Sequence, residues 1–189
     1  MRLAERLNGF DAYLGTEMNL RLTRMRSEGK DVINLGLGDP DVQPSDAQRR
    51  SLADACLDVD SHHYPSFYSP KPFKEAIANW YRRRFGVDCD PDSEVIPLLG
   101  SADGLFHIHT CLLDAGDIAL VPDPCYPAYV AGVKISGGRV HPVPLRKQNG
   151  FLPDLEAVPA DVARRARMIW LNYPNNPTAA VADRSFFQE

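Results

Sequence analysis

Apolar positions recur at helical spacing in several stretches, with short apolar runs between them. Over residues 11–29, Leu14, Met18, Leu22 and Met25 fall three or four apart, which predicts a helix stopping at Gly29. Val32 to Gly38 is a short run that predicts a strand entering the turn Asp39-Pro40-Asp41. Ser45, a favourable N-cap, predicts the start of a helix carrying Leu52, Cys56 and Leu57. The clearest helical pattern follows Pro72. Phe73, Ile77, Trp80, Tyr81 and Phe85 share one face, and Arg82, Arg83 and Arg84 precede Gly86, where cations complement the helix dipole.

Beyond this point strands and helices alternate. Val95–Leu99, Ile118–Pro122, Arg139–Leu145 and Met168–Leu171 predict strands, and residues 100–113 and 126–134 predict helices. Short apolar strands separated by helices indicate an α/β fold, a mostly parallel sheet with helices on its faces. In such sheets ligands bind where the C-terminal ends of strands run into loops. Three segments occupy that position: Gly100-Ser-Ala-Asp-Gly104, Asp123-Pro-Cys-Tyr-Pro127 and Asn172-Tyr-Pro-Asn-Asn-Pro-Thr178.

Composition narrows the function classes. The 189 residues carry 25 Asp and Glu against 21 Lys and Arg, a formal net charge of −4, and 44% are hydrophobic. Mild acidity argues against nucleic acid or an anionic membrane as the main partner, since both call for a basic face. The first residues are charged where a signal peptide needs an apolar run, and no stretch approaches the roughly 20 apolar residues of a membrane helix, so a cytoplasmic location is expected. Cys56, Cys89, Cys111 and Cys125 form no C-x-x-C pair and are expected as reduced, mostly buried thiols, with no metal site. His107 and His109 lie two apart on a predicted helix and face different directions, a poor metal pair. Sixteen prolines exceed the usual share of roughly 5% and mark sharp turns rather than a linker.

The small residues at 100–104 leave backbone N–H groups free at a helix start, a place for a phosphate, with Ser101 adding a hydroxyl. On its own such a turn is equally an ordinary structural one, and it is neither a P-loop nor a dinucleotide fingerprint. Tyr126 can stack on a planar ring or simply pack a turn. The two asparagines between Pro174 and Pro177 can offer carboxamides to a ligand or serve only the loop.

Taken together the segments resemble the fold-type I, class I and II pyridoxal-phosphate-dependent aminotransferases, most closely their LL-diaminopimelate aminotransferase-like branch. The resemblance is carried by Asn34-Leu-Gly-Leu-Gly-Asp-Pro-Asp41, Tyr64-Pro-Ser-Phe-Tyr68, Ala76-Ile-Ala-Asn-Trp-Tyr-Arg-Arg-Arg-Phe-Gly-Val87, Leu99-Gly-Ser101, Leu120-Val-Pro-Asp-Pro124 and Asn172–Thr178, in the family's order. It implies a three-layer αβα large domain, incomplete on its C-terminal side, over 45–189, with 1–44 an N-terminal arm and the start of a small domain. It implies pyridoxal 5'-phosphate as cofactor, an amino acid (LL-diaminopimelate, alanine or an aromatic one) and a 2-oxo acid as substrates, and a homodimer.

The resemblance also assigns roles. Ser101 and the amide of Ala102 would hold the cofactor phosphate, and Tyr64 would reach the phosphate in the partner subunit. Tyr126 would stack on the pyridine ring, and Asn176 would bond its 3-hydroxyl oxygen. Gly38 would let backbone approach the substrate carboxylate, and Tyr13 would line the substrate pocket. The family's Schiff-base lysine, its acid on the ring nitrogen and its carboxylate-binding arginine match nothing in this chain, whose lysines 30, 71, 74, 134 and 147 read as surface charges. The resemblance therefore implies the N-terminal half of an enzyme, or a catalytically incompetent fragment or pseudoenzyme; a carbon–sulfur lyase or a decarboxylase of the same fold is the neighbouring chemistry. Four positions depart from the branch pattern. Ala102 replaces a lysine, and Ser69, Cys125 and Ala179 replace glycines that matter if those backbones need positive φ.

Overall fold

The computed structural model describes residues 2, 4, 7, 10, 14–36, 38, 40–64 and 70–188. The chain divides into two compact units, Ala12–Pro97 and Met1–Asp11 with Leu98–Glu189.

The first unit is helical. Helix α1 spans Leu14–Ser27. It ends as its pattern predicts: Gly29 takes φ +75°, and the Lys30 N–H reaches back to the Met25 carbonyl at 3.1 Å. Helix α2, Asp46–Leu57, opens on a reciprocal cap. The Ser45 hydroxyl accepts from the Gln48 N–H at 3.3 Å and the Gln48 side chain accepts from the Ser45 N–H at 2.9 Å. Helix α3, Lys71–Phe85, closes on Gly86 at φ +68°, whose N–H bonds the Arg82 carbonyl.

Two expected strands are absent here. The described residues of 32–38 form none, and neither does 95–99. The Asn34 side chain accepts from the Gly36 N–H at 2.9 Å, bending the first segment and occupying a group that a ladder would need. Pro97 has no N–H to offer in the second, and Ile96 and Leu99 stand exposed. The apolar face of α3 is also not a buried one. Phe73, Trp80, Tyr81 and Phe85 are exposed, with Trp80, Tyr81 and Phe85 packed edge to face, while the buried positions are Lys74 and Ala78. Lys74 thus corrects the expectation of a surface charge: its stem is covered and its ammonium donates to the Asp92 carbonyl at 3.2 Å.

The second unit holds the sheet. Helix α4 (Ser101–Leu112), strand β1 (Ile118–Asp123), helix α5 (Pro127–Ile135), strand β2 (Arg139–Pro144), helix α6 (Ala160–Arg165) and strand β3 (Ala166–Ile169) follow in order. The three strands are parallel in the order β2-β1-β3, with Ile118 opposite Arg139 and Leu120 opposite both His141 and Ile169. As the central strand, β1 is buried on both faces, and this is why it reads as a continuous apolar run. Ala119 and Val121 meet Leu113, Tyr129 and Val133 on the side of α4 and α5. Ile118 and Leu120 join Val143 on the other side, against Val158 and Val162 of the α6 region. Helices on both faces of a parallel sheet make this an αβα arrangement. Strand β3 starts two residues before its apolar run suggests and ends at Ile169, although the Trp170 N–H still donates to the Leu120 carbonyl at 3.0 Å.

The cysteines are free, but they are less buried than expected: Cys56 and Cys111 are exposed and Cys89 and Cys125 half-buried. Helix α2 buries none of its residues, so Cys56 has nothing to hide behind. Among the described residues no helix is long and apolar enough to cross a membrane.

Candidate functional site

In the sheet-bearing unit the three loop segments lie where the parallel strands end. Helix α4 ends five residues before β1 and packs against α5. Gly100 caps α4 with φ +112° and no side-chain cap, and only the Asp103 N–H turns back to the Gly100 carbonyl, at 3.2 Å. The N–H groups of Ser101 and Ala102 and the exposed Ser101 hydroxyl are thereby left to an anion. Asp103 is turned to His107, with Oδ1 and Nδ1 2.8 Å apart, which answers why an acid can sit so near such a site.

β1 delivers Asp123 to the second segment. Tyr126 is the N-cap of α5, followed at once by Pro127 in the first turn, where the missing N–H costs nothing. Its ring is half-buried and leans edge-on against Tyr129, with centroids 5.9 Å apart. Cys125, which stands where the family carries glycine, has no left-handed backbone, so the larger residue is accommodated. Burial, with the nearby Asp123 charge, pushes its thiol up to about 11.

β3 delivers the third segment, which is built around its asparagines. Asn175 is buried, and its side-chain amide donates to the Thr178 hydroxyl at 2.8 Å. Its backbone N–H bonds the Ala180 carbonyl, and its own carbonyl accepts from the Ala179 N–H at 2.7 Å. The Asn172 side chain accepts from the Asn176 N–H at 3.1 Å. With its backbone fixed from both sides, Asn176 presents an exposed carboxamide. Asn175 belongs to the pair between Pro174 and Pro177, whereas Asn172 carries no role in the sequence reading, and its four-residue spacing from Asn176 is the signal that points to it.

Ala179 adopts φ +59°. A left-handed backbone costs an L-residue about 1–2 kcal/mol that glycine does not incur. Ala179→Gly is therefore expected to stabilise the protein by about 1 kcal/mol after the added freedom of the unfolded chain is deducted. The shift in urea midpoint measures it, and an unchanged or lowered midpoint contradicts it.

Ser101, Ala102, Tyr126 and Asn176 all belong to the sheet-bearing unit, and the segments of Tyr126 and Asn176 follow the neighbouring strands β1 and β3. Tyr64 and Gly38 belong to the helical unit. Tyr64 is fully exposed, and the space around the Gly38 α-carbon is open. Tyr13 and Ser69 lie outside the described residues. Of the two histidines on α4, His107 is exposed and His109 wholly buried, in keeping with their opposite directions. Free N–H groups at a helix start can hold an anion, a tyrosine ring can stack on a planar group, and an exposed carboxamide can donate a hydrogen bond.

Comparison with known proteins agrees with this geometry. The family profile described as "Aminotransferase class I and II" matches residues 30–189. LL-diaminopimelate aminotransferase of Syntrophobacter fumaroxidans is 47% identical over 98% of this chain and 48% of its own length. The enzyme of that name from Moorella thermoacetica is 47% identical over 100% of the chain and 48% of its own. The apo BacF structure from Bacillus subtilis superposes with a TM-score of 0.94 at 36% identity, over 99% of this chain and 48% of that one. The chain spans about half the length of the relatives it matches. With its αβα sheet, its open helix start and its asparagine loop in the family's order, the chain belongs to the class I and II aminotransferases, a pyridoxal-phosphate-dependent family.

Proposed function

We propose that the protein to which this chain belongs is an aminotransferase that moves an amino group between an amino acid, LL-diaminopimelate in the first instance, and a 2-oxo acid. The observation that supports the reading is that one unit carries an uncapped helix start at Ser101, a tyrosine at the start of α5 and an exposed asparagine held by its backbone after β3. Bound pyridoxal phosphate supplies an electron sink for the pair left behind when a bond to the substrate's α-carbon breaks. This chain's residues bind and orient it. The Ser101 hydroxyl and the N–H groups of Ser101 and Ala102 neutralise phosphate charge at the positive end of α4. The Tyr126 ring would cover one face of the pyridine and exclude water there, and the Asn176 amide would donate to the ring's 3-oxygen.

Gly38 and Tyr13 are assigned to the substrate pocket. Tyr64, fully exposed, is assigned to the phosphate of a neighbouring subunit's cofactor, which makes the working form a homodimer. Residues 1–44 are assigned to the arm and small domain, 45–189 to the large domain, and the protein to the cytoplasm. Ala102 offers no side-chain contact to the phosphate, so the backbone carries more of that role.

A second reading, a chain that holds the cofactor without turnover, is favoured by one observation. Lys74, one of its five lysines, is buried against the Asp92 carbonyl in the helical unit, and none of the five falls in the three cofactor loops. Incubating the whole protein, as its gene encodes it, with pyridoxal phosphate, LL-diaminopimelate and 2-oxoglutarate tests both. Glutamate formation is expected. Cofactor uptake without it leaves the second reading, and no cofactor uptake overturns the site.

A further inference from the structure

Behind the three loops lies a group of side chains that the cofactor reading does not use. Trp170 follows β3, and its indole N–H donates to Nε2 of His109 at 2.8 Å across 61 positions of sequence. The face of the same indole stacks on Tyr129, with centroids 4.3 Å apart and planes within 10° of parallel. Tyr129 in turn supports the edge of Tyr126. His109 is fully buried, and Tyr129 is nearly so.

Each loop that carries a candidate cofactor residue contributes one member. Helix α4 brings Ser101 and, two turns later, His109. Helix α5 starts at Tyr126 and reaches Tyr129 one turn on. The segment leaving β3 carries Trp170 and then Asn176. The contacts therefore run from the phosphate helix through the asparagine strand to the ring-stacking tyrosine.

A core made for packing alone would fill the His109 position with an aliphatic residue, because burying an imidazole costs free energy unless its nitrogens are satisfied. Only one is. Nε2 accepts from Trp170, so the ring's proton resides on Nδ1, which finds no partner in hydrogen-bond geometry. Burial lowers the ring's proton affinity and outweighs the carbonyls of Phe106 and Leu105 in the preceding turn, which favours the neutral form that can accept from an indole. The fold also makes room for it. Gly132 of α5 lies against the ring, and a β-carbon there would sit 2.1 Å from Nδ1. What the histidine supplies in return is direction: a hydrogen bond fixes the indole's rotation, which an apolar contact leaves free.

We infer that His109 is a positioning residue for the cofactor site, acting through Trp170 and Tyr129 to fix the plane of the Tyr126 ring against the pyridine. The inference rests on the cofactor reading given above. It predicts that the brace matters to ligand affinity more than to folding.

The test uses the whole protein in three forms beside the wild type, with the Trp170→Phe form also serving to subtract the emission of every other indole. His109→Leu removes the acceptor at similar volume. His109→Gln keeps an acceptor oxygen at similar reach. Trp170→Phe keeps the stack on Tyr129 and removes the donor, and it still reports should His109→Leu fail to fold. Pyridoxal phosphate affinity is read by equilibrium titration, and the setting of Trp170 by its emission maximum. His109→Leu is expected to bind about tenfold more weakly with shifted emission, His109→Gln to recover to within about threefold, and Trp170→Phe to match His109→Leu (a tenfold change is 1.4 kcal/mol). Equal affinity in all forms, or a Gln variant as weak as the Leu variant, overturns the positioning role while leaving the cofactor site standing. A wild type that takes up no pyridoxal phosphate overturns the cofactor site and the role together.

Discussion

Gly132→Ala is expected to destabilise the protein by about 3 kcal/mol, a large effect for one methyl group. The added carbon would lie 2.1 Å from Nδ1, 2.5 Å from Cε1 and 2.9 Å from Cγ of His109. A flexible side chain would swing away, but this ring is enclosed and tied to Trp170. Relief requires either separating α5 from α4 or breaking the indole hydrogen bond, and both disturb the cluster of Leu113, Tyr129 and Val133. Urea unfolding followed by fluorescence measures the loss. The cause is checked by His109→Ala combined with Gly132→Ala, because removing the ring removes the clash. The double variant should be less destabilised than the two single losses added together. A Gly132→Ala midpoint within about 0.5 kcal/mol of wild type shows that α4 and α5 are not locked in this way.

Asn176→Ala is expected to weaken pyridoxal phosphate binding by about 30-fold, as for a lost hydrogen bond to a charged oxygen, while leaving the cofactor-free protein as stable as before. The dissociation of affinity from stability follows from the loop's construction. The Asn176 carboxamide is exposed, and the bond that holds its backbone comes from Asn172, which the substitution retains. Asn175→Ala is the opposite case. Its amide is buried on Thr178, so its removal should lower the melting temperature as well. Titration of the cofactor and thermal melts of both variants separate the two. Unchanged affinity in Asn176→Ala removes that residue from the site.

The parts of this molecule that were legible from the sequence are those in which local chemistry dictates the outcome. Ser45 with Gln48, Gly29 and Gly86 announce helix ends because their caps are made within a few residues. The central strand announces itself because burial on both faces demands an unbroken apolar run. The candidate cofactor residues stand out in the sequence only as an ordered set. Each of their segments taken alone reads equally as a turn. Segments 32–38 and 95–99 misled because an apolar extended run becomes a strand only when a neighbour takes its hydrogen bonds, and Asn34 and Pro97 spoil that locally. Helix α3 misled through its periodicity, which places Lys74 and Ala78 inward and leaves its aromatic residues outside. The pairing of His109 with Trp170 spans 61 positions and leaves no periodic trace. Ala179 sits between. Its departure from glycine was visible in the sequence, whereas its φ of +59° was not.

The thiol of Cys125 has a practical consequence for chemical labelling. Held at about 11, it is ionised at pH 7 in about one molecule in ten thousand, and the thiolate is the form that attacks an alkylating reagent. Cys56 and Cys111 are exposed and carry no such burden of burial. A maleimide dye would therefore mark α2 and the outer face of α4 first, leaving the sulfur beside Tyr126 intact. This chain thus offers two exposed thiols to optical probes, and the same reagent passes by the sulfur next to Tyr126.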